Sequence, residues 1–312
     1  MRRRLYIPDK VKIAIKRHVK RAADRAAAEY LSAHEDEDTL TGHFGALLKT
    51  GWHSVTAMNP STERLGVWRW SVDYHKFRGR GKKAPEKLLG ADGVFELSLS
   101  LGGQQDKKSL LFQAKTSAEG GKHTLEQLVK LTTWREAAFV LLYRPTGFRA
   151  LPIDDALAAR GRFSGVNGVP LESYLGGEFI DCEVGDNELQ YDAQHRRLYW
   201  RSMDGERVAI EFSIPHRIKI SVRAPRGRRR SRNFDRLVRP EQLHEFRMEA
   251  TEAEMLSLGR YAEESLVKQA QRRLSLTYHP DKFSELDIFL QQLMTRRMQE
   301  VNASADKLRG KK

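Results

Sequence analysis

GADGVFELSLSLGGQQDKKSLLFQAK, residues 90–115, is the stretch that decides the fold. From Phe95 onward apolar and polar residues alternate, the mark of a strand with one buried face. The spacing predicts a strand over Gly93–Leu101, a turn at Gly102-Gly103 and a second strand over Ser109–Ala114, together a hairpin. Downstream, a helix is expected from Thr124 to Ala137, followed by the strongly apolar strand Ala138–Tyr143. Upstream, Thr56 to Asp73 reads as strands, with Val67-Trp68-Arg69-Trp70-Ser71-Val72 in alternation.

Further out the pattern becomes helical. Asp9 to His34 reads as a basic helix, followed by the acidic knot Glu35-Asp36-Glu37-Asp38 and a second helix to about Lys49. In that second helix Leu40, Phe44, Leu47 and Leu48 recur at helical spacing, and Gly51-Trp52 ends it. Residues 76–87 form a polar loop, 150–180 mix helix and loop, and 188–222 alternate as further strands. The lone cysteine, Cys182, has no partner for an internal disulfide and is expected in a strand.

The chain of 312 residues is long enough for two cores. No apolar run approaches the roughly 20 residues of a membrane span. Met1-Arg2-Arg3-Arg4 is followed by no apolar stretch, which excludes a secretory signal at this point and predicts a cytoplasmic home. The net charge of +14 is uneven: residues 1–30 carry +7 and 216–239 carry +9, while 31–215 carry −2. Localised positive charge attracts phosphate backbones. The run containing Arg226, Arg228, Arg229 and Arg230 is therefore a candidate nucleic-acid contact, or a solubilising linker.

The order Gly90-Ala91-Asp92-Gly93, strand, turn, Leu111-Phe112-Gln113-Ala114-Lys115 resembles the core of the PD-(D/E)XK nuclease superfamily. The likeness is to its Mrr-like variant, in which Gln replaces the acid before x-Lys, and it covers roughly residues 35–145. The resemblance implies an α/β (α+β) restriction-endonuclease-like core with a mixed sheet, and a metal-dependent endonuclease. Phosphodiester cleavage needs charge stabilisation on phosphate oxygens and an activated water. Mg²⁺, or Mn²⁺ in its place, would be held by the Asp92 carboxylate, the Ala114 carbonyl and an acid on the preceding helix. Lys115 would orient the water, and Gln113 would position metal-bound water or phosphate. Glu37 is the expected helical acid, because it shares a face with Leu40, Phe44 and Leu48; Glu35, Asp36 and Asp38 are rivals. Gln127 matches a polar residue often found on the following helix. Taken singly, Asp92 could be a turn residue and Lys115 a strand-end lysine.

Near the C-terminus, His279-Pro280-Asp281-Lys282 follows a basic helix, Glu264 to Tyr278, and precedes a helix from Leu286 to Leu308. This resembles a J-domain, a small all-α helical hairpin that docks on a DnaK-type chaperone. It implies a contact surface of His279, Pro280 and Asp281, with Lys268, Arg272 and Arg273 on the basic helix. Leu266, Ala270, Leu274 and Thr277 are expected to pack against Phe289, Leu293, Val301 and Ala305. The expected organisation is a nuclease-like domain over 1–222, an Arg-rich linker over 223–249 and the hairpin module over 250–312. The expected partners are nucleic acid, DNA before RNA, and a DnaK-type chaperone or partner subunit. The role implied by analogy with restriction nucleases is defence against foreign DNA. The alternatives are an inactive nuclease fold serving as a sensor or adaptor, and nucleic-acid binding without cleavage.

Overall fold

The computed structural model describes residues 7–30, 36–59, 64–77, 90–101, 104–116, 121–201, 207–211, 214–225, 236–237, 256, 258 and 263–310. Helices α1 (Asp9–Ala28) and α2 (Glu37–Leu48) lead into strands β1 (Thr50–Asn59), β2 (Arg64–Lys76), β3 (Gly93–Leu101) and β4 (Gln104–Thr116). Helix α3 (Lys122–Leu131) and a 3₁₀ turn (Arg135–Ala137) connect to β5 (Ala138–Tyr143) and β6 (Arg149–Pro152). Next come α4 (Ile153–Ala158), β7 (Val169–Pro170) and α5 (Leu171–Ser173), which continues as a π-helical turn, Tyr174–Phe179. Strands β8 (Gln190–Asp192), β9 (Arg197–Arg201), β10 (Arg207–Glu211), β11 (His216–Arg223) and β12 (Arg236–Leu237) follow. Two helices complete the chain, α6 (Glu264–Thr277) and α7 (Ile288–Gly310).

The architecture is α+β around one large mixed sheet, ordered β1-β2-β11-β3-β4-β5-β6-β7. A smaller sheet runs β12-β10-β9-β8. Strands β3 and β4 form the expected antiparallel hairpin, and β4 pairs in parallel with β5. Strand β11 returns from far along the chain and inserts between β2 and β3, antiparallel to the first and parallel to the second.

Alternation sends the strand residues to two cores. Phe95, Leu97, Leu110, Phe112, Phe139 and Leu141 join the buried stripes of α1 and α2. Val94, Leu111, Val140 and Leu142 face Leu125, Leu128 and Val129 of α3. That second core continues without a break into Val267, Leu274, Leu290, Met294 and Val301 of the C-terminal hairpin. Strand β5 is buried at all six positions because both of its faces are covered.

Strand Gly93–Leu101 forms as its periodicity predicts, and Ala138–Tyr143 as its apolar run predicts. Other expectations need correction. Strand β1 begins at Thr50, so Gly51-Trp52 lies inside a strand instead of merely ending α2. Cys182 is not in a strand; it occupies a turn with φ of 65° and is buried. In the hairpin, Leu266 and Phe289 are exposed, while Val267 and Leu290 are buried in their stead. The buried stripe of α6 is Val267, Ala270, Leu274 and Thr277, a register at spacings of three and four that leaves Leu266 beside it. The Arg-rich run at Arg226, Arg228, Arg229 and Arg230 lies outside the described residues. Among the described residues no helix is long and apolar enough to cross a membrane.

Helix α1 is anchored by His18, whose Nε2 lies 2.8 Å from the Leu48 carbonyl and therefore donates to it. Its ring also sits against Trp70, with centroids 5.4 Å apart. Burial is the main cause that lowers its pKa, so the neutral ring is the favoured form. The unfolded chain then binds more protons near pH 6, and stability is lost as pH falls below the unfolded value of about 6.5. His216 is lowered likewise, chiefly by burial, and adds to the same trend. We expect the melting temperature to drop between pH 7 and pH 5.5, and His18→Gln to flatten part of that drop. A pH series of thermal melts checks it; an unchanged slope in the variant would remove His18 from the account.

Candidate active site

Asp92 sits where three strands meet. Its N–H donates to the Phe112 carbonyl at 2.8 Å, and its own carbonyl accepts from the His216 N–H at 3.3 Å. Gly90, two residues earlier, has φ of 69°, a conformation glycine adopts without steric cost. A Cβ at Gly90 would meet the Gln127 carbonyl at 2.3 Å, so the loop also lies directly on α3.

The end of β4 organises what surrounds Asp92. Pairing with β3 stops at Gly93 opposite Phe112, while β4 runs on to Thr116. The N–H and C=O of one strand residue point to the same edge, and successive residues alternate edges. Phe112 faces β3, so Ala114 and Thr116 face the same edge after β3 has ended. The two N–H groups find carboxylates there. Ala114 N–H donates to Asp92 Oδ2 at 2.8 Å, and Thr116 N–H donates to Glu37 Oε1 at 3.1 Å. The intervening side chains repeat the pattern: Gln113 Nε2 donates to Asp92 Oδ2, and Lys115 Nζ lies 2.9 Å from Glu37 Oε2.

Glu37 thus reaches the sheet from the first turn of α2, as its helical spacing predicts. Its rivals have other tasks. Asp36 caps the helix, accepting from the Thr39 N–H at 2.6 Å. Asp38 pairs with Lys76 at 2.5 Å and with His216 Nε2 at 2.7 Å. Glu35 lies outside the described residues.

These groups line a cleft of about 360 Å³. Gln127 projects into it from α3 and is buried, as is Gln113. Because an ionised carboxylate only accepts, the Gln113 amide nitrogen must face Asp92, and its oxygen turns away. That oxygen and the Gln127 side-chain oxygen are buried with no hydrogen-bond partner among the described residues. Two orphaned amide oxygens, two carboxylates and the Ala114 carbonyl on the open edge form an all-oxygen donor set of the kind a hard cation takes. Among the described residues there is no group of three or more His, Cys, Asp or Glu side chains placed to hold a metal. A cation here would rest on the mixed set alone.

His216 is a cleft residue that the sequence did not reveal. It is fully buried and stands opposite Gly93 in the β11–β3 register. Burial lowers its pKa, so Nε2–H donates to Asp38 while Nδ1 accepts from the Tyr74 hydroxyl at 2.9 Å. Burial also acts to raise the Asp38 carboxyl, but bonds from Lys76 and His216 outweigh it and hold the group below its ordinary value. The chain Tyr74–His216–Asp38–Lys76 fixes the first turn of α2, and with it Glu37, against the sheet.

The hairpin residues lie elsewhere. Lys268 and Arg272 are exposed on the face of α6 opposite its buried stripe, while Arg273, also exposed, flanks the stripe and lies 3.4 Å from Asp155 of α4. Pro280 opens a 3₁₀ turn, and His279 and Asp281 are exposed, with His279 Nδ1 3.4 Å from Asp281 Oδ2. On either side of the loop the chain is tied to the core. The Tyr278 hydroxyl donates to Asp154, Phe283 is buried, and Arg160 meets Glu285 at 3.0 Å. Comparison of the chain with protein-family models, curated proteins and solved structures returned no match.

Gly90→Ala tests whether the loop and α3 must touch. Left-handed backbone strain of about 1–3 kcal/mol adds to the clash with the Gln127 carbonyl. The variant should melt well below wild type, and hydrogen exchange should rise at Asp92 and along α3. Wild-type stability would show that the contact can relax.

Proposed function

We propose that this protein is a metal-dependent endonuclease of the PD-(D/E)XK kind, acting on DNA. One observation carries the reading: four successive residues of β4, Gln113 to Thr116, hold two acids from distant parts of the chain at one cleft. Asp92, Glu37 and the Ala114 carbonyl would hold Mg²⁺ or Mn²⁺, with the oxygens of Gln113 and Gln127 accepting hydrogen bonds from bound water. When bound, the cation supplies charge stabilisation on the phosphate and lowers the pKa of water. Lys115, kept in place by Glu37, places a positive charge beside the scissile phosphate and orients the attacking water. Gln113 keeps Asp92 aimed along the β4 edge. By analogy with restriction nucleases, the role is cytoplasmic defence against foreign DNA.

The C-terminal hairpin resembles a J-domain, and we propose that it recruits a DnaK-type chaperone or a partner subunit through His279, Pro280 and Asp281, with Lys268, Arg272 and Arg273. The exposure of five of those six positions, with Pro280 half-buried, supports this. A second reading, an inactive sensor or adaptor, is favoured by the same ion pair that orders the cleft, since Lys115 is already engaged by Glu37 at 2.9 Å.

Incubation of plasmid and single-stranded DNA with Mg²⁺ or Mn²⁺ tests the first reading. Wild type should cut, and Asp92→Ala and Lys115→Ala should each lose on the order of 100-fold or more in rate. A folded wild type that cuts neither substrate would favour the adaptor. For the hairpin, His279→Gln should abolish stimulation of a DnaK-type ATPase while leaving the thermal melt unchanged; undiminished stimulation would remove the chaperone assignment.

A further inference from the structure

The large sheet has a basic, hydroxyl-rich region at the end away from the cleft. In register across β2, β11, β3 and β4 stand Arg69, Arg223, Ser100 and Gln105. The next row on that side is Ser71, Ser221, Ser98 and Lys107. Rows on one side are about 6.7 Å apart along a strand. The two rows hold three cations, four hydroxyls, one amide and no acid; Arg69, Arg223 and Gln105 are exposed, Lys107 is half-buried, and Ser71 and Ser98 are buried. Acids enter only in the third row, where Asp73 and Glu96 flank Lys219.

The neighbouring strand adds aromatic and apolar surface. The Arg223 guanidinium lies over the Trp52 ring, 4.1 Å from its centroid, and Trp52 remains 44% exposed. Met58 stands opposite Leu65, both exposed, with exposed Val67 beside them. One face of an antiparallel hairpin is normally polar when it meets water; here the apolar set is open. Among the described residues Arg69 and Lys219 form no ion pair. Burial, then the like charge of Arg217, lowers the Lys219 pKa against the opposing pull of Glu96 and Asp73, and Glu96 is itself paired with Arg217.

We infer that this face is a binding platform for single-stranded nucleic acid, with bases stacking on Trp52 and phosphates meeting Arg69, Arg223 and Lys107. Charge complementarity selects the occupant, because donors and cations without acids suit a polyanion, and an exposed aromatic beside arginine suits a base. The inference rests on the nucleic-acid reading above and extends it in space. Strand β11 carries His216 at the cleft end and Arg223 on the platform, about 23 Å apart at strand rise and, by alternation, on opposite faces of the sheet.

The test is fluorescence anisotropy of a fluorescein-labelled oligothymidylate of about 15 nucleotides, titrated with the full chain in EDTA so that no cleavage intervenes. Trp52→Ala should weaken binding about tenfold, and Trp52→Phe, which keeps a stacking ring, should restore it to within about twofold. Arg69→Gln with Arg223→Gln should weaken binding and flatten the salt slope by about 1.4, the value for two phosphate contacts on a single strand. Unchanged affinity in Trp52→Ala and in the double variant overturns the platform, even if the nuclease cuts. So does sedimentation showing that the face pairs two copies of the chain and that Trp52→Ala dissociates them. Loss of cleavage with intact oligonucleotide binding would count against the nuclease and leave the platform standing.

Discussion

The structure turns on an unpaired strand edge. Strand β4 outlasts β3 by four residues, and the N–H groups of Ala114 and Thr116 are left facing an edge where no strand continues. A buried backbone donor without a partner costs free energy comparable to a lost hydrogen bond. Here the partners are the carboxylates of Asp92 and Glu37. The same bonds that complete the sheet bring two acids, one from α2 and one from the loop before β3, to one cleft. The candidate site is therefore also a piece of the scaffold, and the acids carry a structural duty whether or not a cation joins them.

Gln113 makes sense in that setting. A carboxylate in its place could not donate to Asp92, and two anions would face each other with only a cation to separate them. The amide instead ties β4 to Asp92 by a hydrogen bond and leaves its oxygen buried, with no hydrogen-bond partner among the described residues. The three acids at the start of α2 divide the work similarly. Asp36 caps the helix, Glu37 completes β4, and Asp38 binds β2 and β11 through Lys76 and His216. All three stand at the positive end of the helix dipole, which lowers the cost of concentrating negative charge there.

What could be read in the sequence was local. Strand β3 is legible from its alternation and β5 from its unbroken apolar run, and the helical spacing of Glu37 from Phe44 and Leu48 points it toward the sheet. The start of β4 was hidden because Gln104-Gln105-Asp106-Lys107-Lys108 is polar on both sides of the strand. Asp106 and Lys108 stand opposite the core residues Leu99 and Leu97, and Lys108 is buried, donating to the Val184 carbonyl at 2.9 Å and lying against the Phe179 ring. His216 could not be found by any local rule. Its place beside Asp92 depends on β11 crossing more than 100 residues of sequence to enter the middle of the sheet. The one-residue error in the hairpin has a plain cause, since Leu266 and Val267 are both apolar and only packing against α7 selects between them.

The hairpin's docking constrains how its loop can act. Tyr278 and Phe283 bracket His279-Pro280-Asp281, and both are buried against the layer that carries α3 and α4. Asp154 and Asp155, adjacent on α4, receive Tyr278 and Arg273. Asn302 of α7 accepts from Gln271 and Ser275 of α6 at 3.0 Å each, so the two helices are also fixed to each other. A partner meeting the exposed loop thus presses on a body continuous with α3, the helix whose Gln127 enters the cleft. Packed cores respond to such pressure as units, because close-packed side chains transmit displacement instead of absorbing it. The apolar core that joins hairpin and sheet runs from Tyr278 and Phe283 beside the loop to Leu125, Leu128 and Val129 of α3.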